Sequence, residues 1–231
     1  MTDQSEGDAI TRFYEEHPYP PPVADLDDYR RVWTDDRRRE ETLRLWPDGS
    51  TGDARTILVA GCGTSQAAKY AVRYPRSHVV GIDVSDRSID ETLRLIERHD
   101  LANVEVHRLP IERVAELGAS FDHVVCTGVL HHLADPDAGL GALASVLGPG
   151  GALEAMVYAP YGRTGVYMLQ EYCRLAGVTP SADELDELVE VLREIPLAHP
   201  LSHLLRDTPD FHGATPERNA VREGEQTGLA V

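Results

Sequence analysis

Five short apolar runs, separated by stretches of helical periodicity, constrain this chain more than any other feature. TILVAG (56–61), HVVGIDV (78–84), VEVHRL (104–109), FDHVVCTGVL (121–130) and GALEAMVYA (151–159) each have the length of a strand. Helical stretches lie between them at Ser65–Tyr74, Ser88–His99, Ile111–Leu117 and Asp137–Leu147. In the second of these, Ile89, Leu93 and Ile96 recur at i, i+4 and i+7, which places them on one helix face. Strands covered by helices on both faces read as continuous apolar runs. The pattern predicts an α/β fold: a doubly wound, mostly parallel, Rossmann-like sheet with right-handed crossovers.

An N-terminal helical extension and C-terminal helices flank this core. Residues 1–26 are polar and then proline-rich, with HPYPPP at 17–22. A helix is expected from Asp27 to Trp46, with Tyr29, Val32, Trp33, Leu43, Leu45 and Trp46 as its apolar members. Arg37, Arg38 and Arg39 stand between acidic pairs, so this part reads as a solvated face with i,i+4 charge pairs. After the fifth strand, Gly165–Leu175 reads as helix. Ser181 with Glu184 forms a capping-box pattern ahead of an apolar face of Leu185, Leu188, Val189, Leu192 and Ile195. The expected divisions are an extension at 1–50, a core at 51–160, C-terminal helices at 161–212 and a flexible tail at 213–231.

Charge and composition exclude several functions. With 22 basic and 39 acidic residues the net charge is −17, which opposes binding to a phosphate backbone, so no nucleic-acid partner is expected. No apolar run approaches the roughly 20 residues of a membrane span, and the start (MTDQSEGDAI) lacks a signal-peptide core. Three cysteines do not make a secreted disulfide scaffold. A cytoplasmic location is therefore expected. The ten histidines and the scattered cysteines show no metal-ligand spacing, so no metal is expected.

The chemistry concentrates where the first strand ends. Gly61-Cys62-Gly63-Thr64-Ser65-Gln66 turns the chain sharply and lets a ligand approach the backbone and the start of the next helix, whose N–H groups would face it. A dinucleotide fingerprint requires a third glycine where this chain has Gln66. The close helix–strand approach of a pyrophosphate site is thus not specified. Asp83 ends the second strand twenty residues after Gly63, where an acid can accept hydrogen bonds from ribose hydroxyls. A glycine turn followed by such an acid indicates an adenosine-like ligand. Two adenosine ligands compete: NAD, which needs pyrophosphate contacts, and S-adenosylmethionine, which has no phosphate and needs no third glycine. Lys69, just behind the loop, is the only lysine that could serve a dehydrogenase.

ILVAGCGTSQAAKYA (57–71), VVGIDVS (79–85), FDHVVCTGVLHHLADP (121–136) and LGPGGALEAMVY (147–158) together resemble the class I S-adenosylmethionine-dependent methyltransferases, over about residues 55–160. The resemblance implies a small-molecule methyltransferase. Gly61, Gly63, Thr64 and Ser65 would line the methionine part of the cofactor, Asp83 would hold the ribose, and Val84 would pack on adenine. Ile111 would cover the ring, with Glu112 or the backbone at its amino group. Thr127, Gly128 and Val129 would lie beside the sulfonium and the acceptor. Ala60 stands where the family often has an acid.

His131 and His132 follow the fourth strand, at the end of the sheet where open α/β folds bind ligands, and are the candidates for a base or for acceptor contact. The competing reading is that both orient the loop. Tyr158 and Tyr161 are candidates for the acceptor wall. FYEEHPYPPP (13–22), with Tyr14 and Tyr19, resembles a lid over the cofactor. The usual antiparallel hairpin beside strand five has no counterpart in the pattern. The strand-five edge would then be bare, or covered by helix, or paired with a second copy in a homodimer. The alternatives to methyl transfer are a non-catalytic module that binds S-adenosylmethionine or S-adenosylhomocysteine, and an NAD-type oxidoreductase.

Overall fold

The computed structural model describes residues 20–46, 54–159, 161, 163–179, 181–196, 198, 199 and 202. The chain divides into two compact units, Met1–Val157 and Tyr158–Val231. The first holds a five-stranded, all-parallel sheet in the order β3-β2-β1-β4-β5. Its strands are β1 (Thr56–Ala60), β2 (His78–Asp83), β3 (Val104–Arg108), β4 (Phe121–Thr127) and β5 (Leu147–Met156). The order reverses between β1 and β4, which opens a crevice at the carboxyl ends of those strands.

Alternation along the central strands builds two cores. Leu58, Ala60, Val80, Ile82, Val124 and Cys126 face one way, towards Ile111, Val114 and Leu143. Ile57, Val59, Val79 and Val125 face the other, towards Ala67, Tyr70, Ala71 and Tyr74 of the α3 region (α3 being Gln66–Arg73). α3 packs unusually close to the sheet. A Cβ on Gly81 of β2 would lie 2.7 Å from Ala67 Cβ and 2.9 Å from Val106 Cγ1. The close approach that Gln66 leaves unspecified is therefore supplied from the strand side, by Gly81 against Ala67.

Several expectations shift. The extension is not one helix but two, α1 (Asp27–Val32) and α2 (Asp35–Leu45). Thr34 separates them as an N-cap: its hydroxyl accepts from Arg37 N–H, with Asp35 and Asp36 in the first turn of α2. Nor is α2 a purely solvated face. Its pairs are i,i+3 (Asp35–Arg38, Glu41–Arg44), and its side chain Glu41 is largely buried against Arg73 and Tyr74. In α4 (Asp86–Arg98) the buried members are Ser88, Thr92 and Leu95, while Leu93 is 47% exposed. The inward stripe is one residue away from the apolar one. Ile111–Leu117 is a 3-10 helix. α5 spans Pro136–Ser145.

β5 starts at Leu147, earlier than expected, because LGPGG pairs with the start of β4. The register jumps from Phe121↔Leu147 to His123↔Ala152 across an irregularity. Among the described residues β5 ends the sheet on one side and no antiparallel hairpin follows it.

The N-terminal helices cover the α3–α4 side of the sheet. Leu26, Tyr29 and Trp33 bury against Ala68, Val72 and Leu95. Leu26 N–H donates to His99 Nε2 at 2.9 Å. Trp46 donates its indole N–H to the carbonyl of Gly150 at 3.0 Å.

In the second unit α6 spans Thr164–Ala176 and α7 spans Ala182–Arg193. The Ser181 hydroxyl accepts from Glu184 N–H, while the Glu184 carboxylate accepts from Thr179 N–H, so the capping box reaches two residues further back than its usual form. The tail assigned to 213–231 lies outside the described residues.

Candidate functional site

β1 ends at Ala60, and the chain must then reverse into α3. Gly61 and Gly63 take φ of +70° and +54°, in the left-handed region that side chains disfavour. At Gly61 a neighbour reinforces the requirement. A Cβ there would lie 2.4 Å from Val129 Cγ2 and 2.9 Å from Val129 Cγ1. The loops after β1 and β4 are thus in contact, and Gly61 and Val129 occupy the same corner of the crevice.

Four amides of this loop, those of Gly61, Cys62, Gly63 and Gln66, are committed within the protein. Gly61 and Cys62 both donate to the carbonyl of Ile82, at 2.8 and 2.9 Å. Gly63 N–H donates to Asp83 Oδ2 at 2.8 Å. Gln66 N–H closes the first turn on the carbonyl of Cys62. The expectation that helix-start N–H groups face a ligand is corrected for Gln66 by this bond. What the loop holds buried instead are hydroxyls. Thr64 and Ser65 are fully buried. Thr64 donates to the carbonyl of Pro20 at 2.8 Å, so the proline-rich segment touches the loop at that residue. The Ser65 hydroxyl, at the N-cap of α3, has no hydrogen-bond partner among the described residues. A buried hydroxyl without a partner costs about 1–3 kcal/mol, so a polar ligand atom there would relieve a real penalty.

Asp83 is the hub between the loops. Besides Gly63, it accepts from Ser85 N–H through Oδ1 at 3.0 Å, and its own carbonyl accepts from Leu109 N–H. A carboxylate offers about four acceptor sites at the end of β2, which suits a vicinal diol. Its negative charge and burial push the Cys62 thiol far above its ordinary range, burial contributing most. Cys62 is therefore an inert filler and not a nucleophile. Burial likewise pushes Cys126 up to about 12.

Around this hub the other predicted residues separate into groups. Val84 follows Asp83, and its carbonyl lies 3.3 Å from Arg108 Nε. Ile111 is 4% exposed, with its side chain inside the core beneath β1 and β2, whereas Glu112 is exposed on the 3-10 helix. Thr127 ends β4 opposite Met156, and Gly128 N–H donates to the carbonyl of Met156 at 2.9 Å. His131 and His132 sit on the short 3-10 helix Leu130–His132, their ring centroids 4.2 Å apart and tilted by 49°. His132 N–H donates to the carbonyl of Val129 at 2.8 Å, and the ring nitrogens of His131 are shielded from solvent. Tyr161 is 95% exposed, and Arg163 lies 3.6 Å over the Tyr158 ring. Tyr14 and Tyr19 lie outside the described residues.

Sequence reasoning missed Thr92. Its hydroxyl donates to the carbonyl of Gly63 at 3.0 Å and is fully buried. Ser88 and Thr92, four apart on one helix, were the available signal: a polar stripe alongside an apolar one. Among the described residues no three His, Cys, Asp or Glu side chains could hold a metal ion, and no helix is long and apolar enough to cross a membrane.

Residues 58–153 match a family model described as a methyltransferase domain. The chain is 34% identical over 201 residues to an uncharacterized protein of Synechococcus sp., a match that covers 86% of this chain and 48% of that protein. It is 30% identical over 113 residues to the ubiquinone biosynthesis O-methyltransferase of Acinetobacter baylyi, covering 47% of each. The chain therefore spans just under half the length of these curated relatives. Among solved structures, PKMT2 from Rickettsia typhi in complex with AdoHcy shares the fold, with a TM-score of 0.55 and 22% identity over 86% of this chain and 38% of that one.

Proposed function

We infer that this chain, whose residues 58–153 match a methyltransferase domain, is a class I S-adenosylmethionine-dependent methyltransferase that transfers a methyl group to a small-molecule acceptor. One observation carries the cofactor reading. Asp83 and the glycine loop are bonded to each other at the carboxyl end of adjacent strands, beside a fully buried Ser65 hydroxyl without a partner among the described residues. Such a cradle suits a ligand with a diol at one end and polar groups at the other. Asp83 would hold the ribose hydroxyls, and Val84 would lie against the adenine, with Glu112 at its edge. Thr64 and Ser65 would line the methionine end. The relative named as an O-methyltransferase of ubiquinone biosynthesis supports the acceptor class.

S-adenosylmethionine, when bound, supplies a methyl group already activated on a sulfonium. The task left to the protein is to align an acceptor and exclude water. Thr127, Gly128 and Val129 form the wall of the crevice at the end of β4. His131 and His132 stand just beyond and would hold the acceptor and take its proton where it has one to lose. Ile111, committed to the core, would support the adenine side from beneath.

The test is equilibrium titration of the folded chain with S-adenosylmethionine and S-adenosylhomocysteine, followed by an acceptor screen that monitors S-adenosylhomocysteine release. Saturable one-to-one binding and release with one acceptor class are expected. A folded protein that binds neither compound would overturn the reading. His131→Ala and His132→Ala should each lower the rate with a productive acceptor and leave cofactor affinity unchanged.

A further inference from the structure

We propose that Thr92, on α4, is a positioning residue for the cofactor loop: it clamps Gly63 from the side opposite Asp83. The inference rests on the reading of the preceding subsection. Gly63 is held at both of its polar groups. Its N–H donates to Asp83 Oδ2 at 2.8 Å, and its carbonyl accepts from Thr92 Oγ1 at 3.0 Å. The first tie comes from the end of β2 and the second from the middle of α4, so the two peptide groups that flank the Gly63 Cα are pinned by different elements. Gly63 needs this, because it sits at φ +54° and glycine has the most backbone freedom to lose.

The clamp also explains the rotated face of α4. Threonine in a helix commonly folds its hydroxyl back on a carbonyl of its own preceding turn. Thr92 instead sends its hydroxyl across to the loop, and it is fully buried in doing so. Leu93, the residue that apolar periodicity would place inward, is left 47% exposed. Ser88, on the same inward stripe, has its N–H tied to the hydroxyl of Ser85, and Ser85 N–H is tied to Asp83 Oδ1. Asp83 is thus tied to Gly63 directly and to α4 through Ser85 and Ser88, and Thr92 of the same helix is tied back to Gly63, which joins the ribose acid to the methionine loop. Ordering the loop before the ligand arrives lowers the ordering that binding itself must bring about.

The test compares Thr92→Val, which removes the hydroxyl at nearly constant shape, with Thr92→Ser, which keeps it. Two readouts are taken on the full chain: affinity for S-adenosylhomocysteine by calorimetry, well below the unfolding midpoint of each variant, and hydrogen exchange of the 61–66 peptide without ligand. Thr92→Val should weaken binding about tenfold and speed exchange in 61–66, because the Gly63 carbonyl loses a buried donor. Thr92→Ser should lie within about twofold of the parent on the same grounds. Should Thr92→Val fail to fold, Thr92→Ala removes the same hydroxyl without a steric demand and is read in the same way. A variant with a lowered unfolding midpoint but parental affinity would overturn the inference, since a merely structural threonine behaves so. If the parent chain itself binds no S-adenosylhomocysteine while Thr92→Val still loosens the loop, the cofactor reading falls and the clamp stands.

Discussion

At the carboxyl end of the sheet, a single carboxylate, Asp83, organises backbone amides and leaves the buried Ser65 hydroxyl without a partner among the described residues. Towards the amino end the chain buries full charges and closes them on one another. Arg73 pairs with Glu41, whose carboxylate also accepts from the Tyr74 hydroxyl at 3.0 Å. His123, 1% exposed, lies 3.5 Å from Glu154, and Arg44 approaches the same Glu154 at 3.8 Å. Arg73 and Arg55 stack on Trp33 and Trp46 at 3.8 and 4.2 Å. Both regions belong to the same compact unit, so the contrast is chemical. The ionic end spends its charges on one another, although Arg73 Nε and the His123 ring nitrogens are buried without a hydrogen bond among the described residues. The glycine-loop end is held open for a ligand, by neutral bonds and one acid.

Breaking the ionic end should cost stability alone. Glu41→Ala leaves the Arg73 guanidinium buried without its carboxylate, and should destabilise by about 3–5 kcal/mol while the affinity of the surviving folded protein for S-adenosylmethionine holds. Denaturant unfolding alongside calorimetric titration checks both halves. Gly61→Val should strike both properties. It places a branched side chain at φ +70° against Val129, and should cost about 2–4 kcal/mol of stability and abolish binding. The damage is a clash between two loops of the protein itself, so binding that persisted at parental affinity would mean that the crevice is not the cofactor site. Asp83→Ala should weaken S-adenosylmethionine by about 1–3 kcal/mol, with a further loss of loop order, because the same carboxylate anchors Gly63 and Ser85.

The smallest effect is a pH dependence that belongs to the amino end. Burial lowers the His123 pKa, with Arg73 and Arg55 adding to the shift and Glu154 opposing it. Burial pushes Glu154 up, but His123, Arg73 and Arg44 together outweigh it and hold its carboxyl below the usual range. The unfolded chain takes up a proton at His123 near a pKa of about 6.5 that the folded chain refuses, so stability should fall as pH drops below that value. A further decline follows as pH passes below the ordinary carboxylate range, where the unfolded chain protonates Glu154 first. Unfolding midpoints from pH 7.5 to 3.5 for the parent and for His123→Asn measure both declines, and the first should vanish in the variant.

How much of this was legible beforehand differs between the two ends. The glycine loop, Asp83 and the strand–helix alternation stand out in sequence because each is set by local backbone needs: positive φ, a strand end, a period of two or 3.6. The break at Thr34 was legible too, since threonine followed by two aspartates is an N-cap signal, but the apolar residues on either side masked it. The ion pairs of the amino end were not. Glu41 and Arg73 are 32 positions apart, as Trp46 and Gly150 are 104 apart, and each reads singly as a surface charge or a packing aromatic.

Local periodicity and turn chemistry therefore determined the class of fold, the order of its elements, the crevice and the acid beside it. Only the tertiary structure decided that the amides of Gly61, Cys62 and Gly63 turn inward, that Gly61 is required by Val129, that Thr92 and not Leu93 faces the core side, and that Glu41 is largely buried. The reason is geometric. A residue's own backbone state is governed by its neighbours in sequence, whereas the direction of a hydroxyl or the burial of a charge depends on which distant element the fold brings within about 3 Å of it.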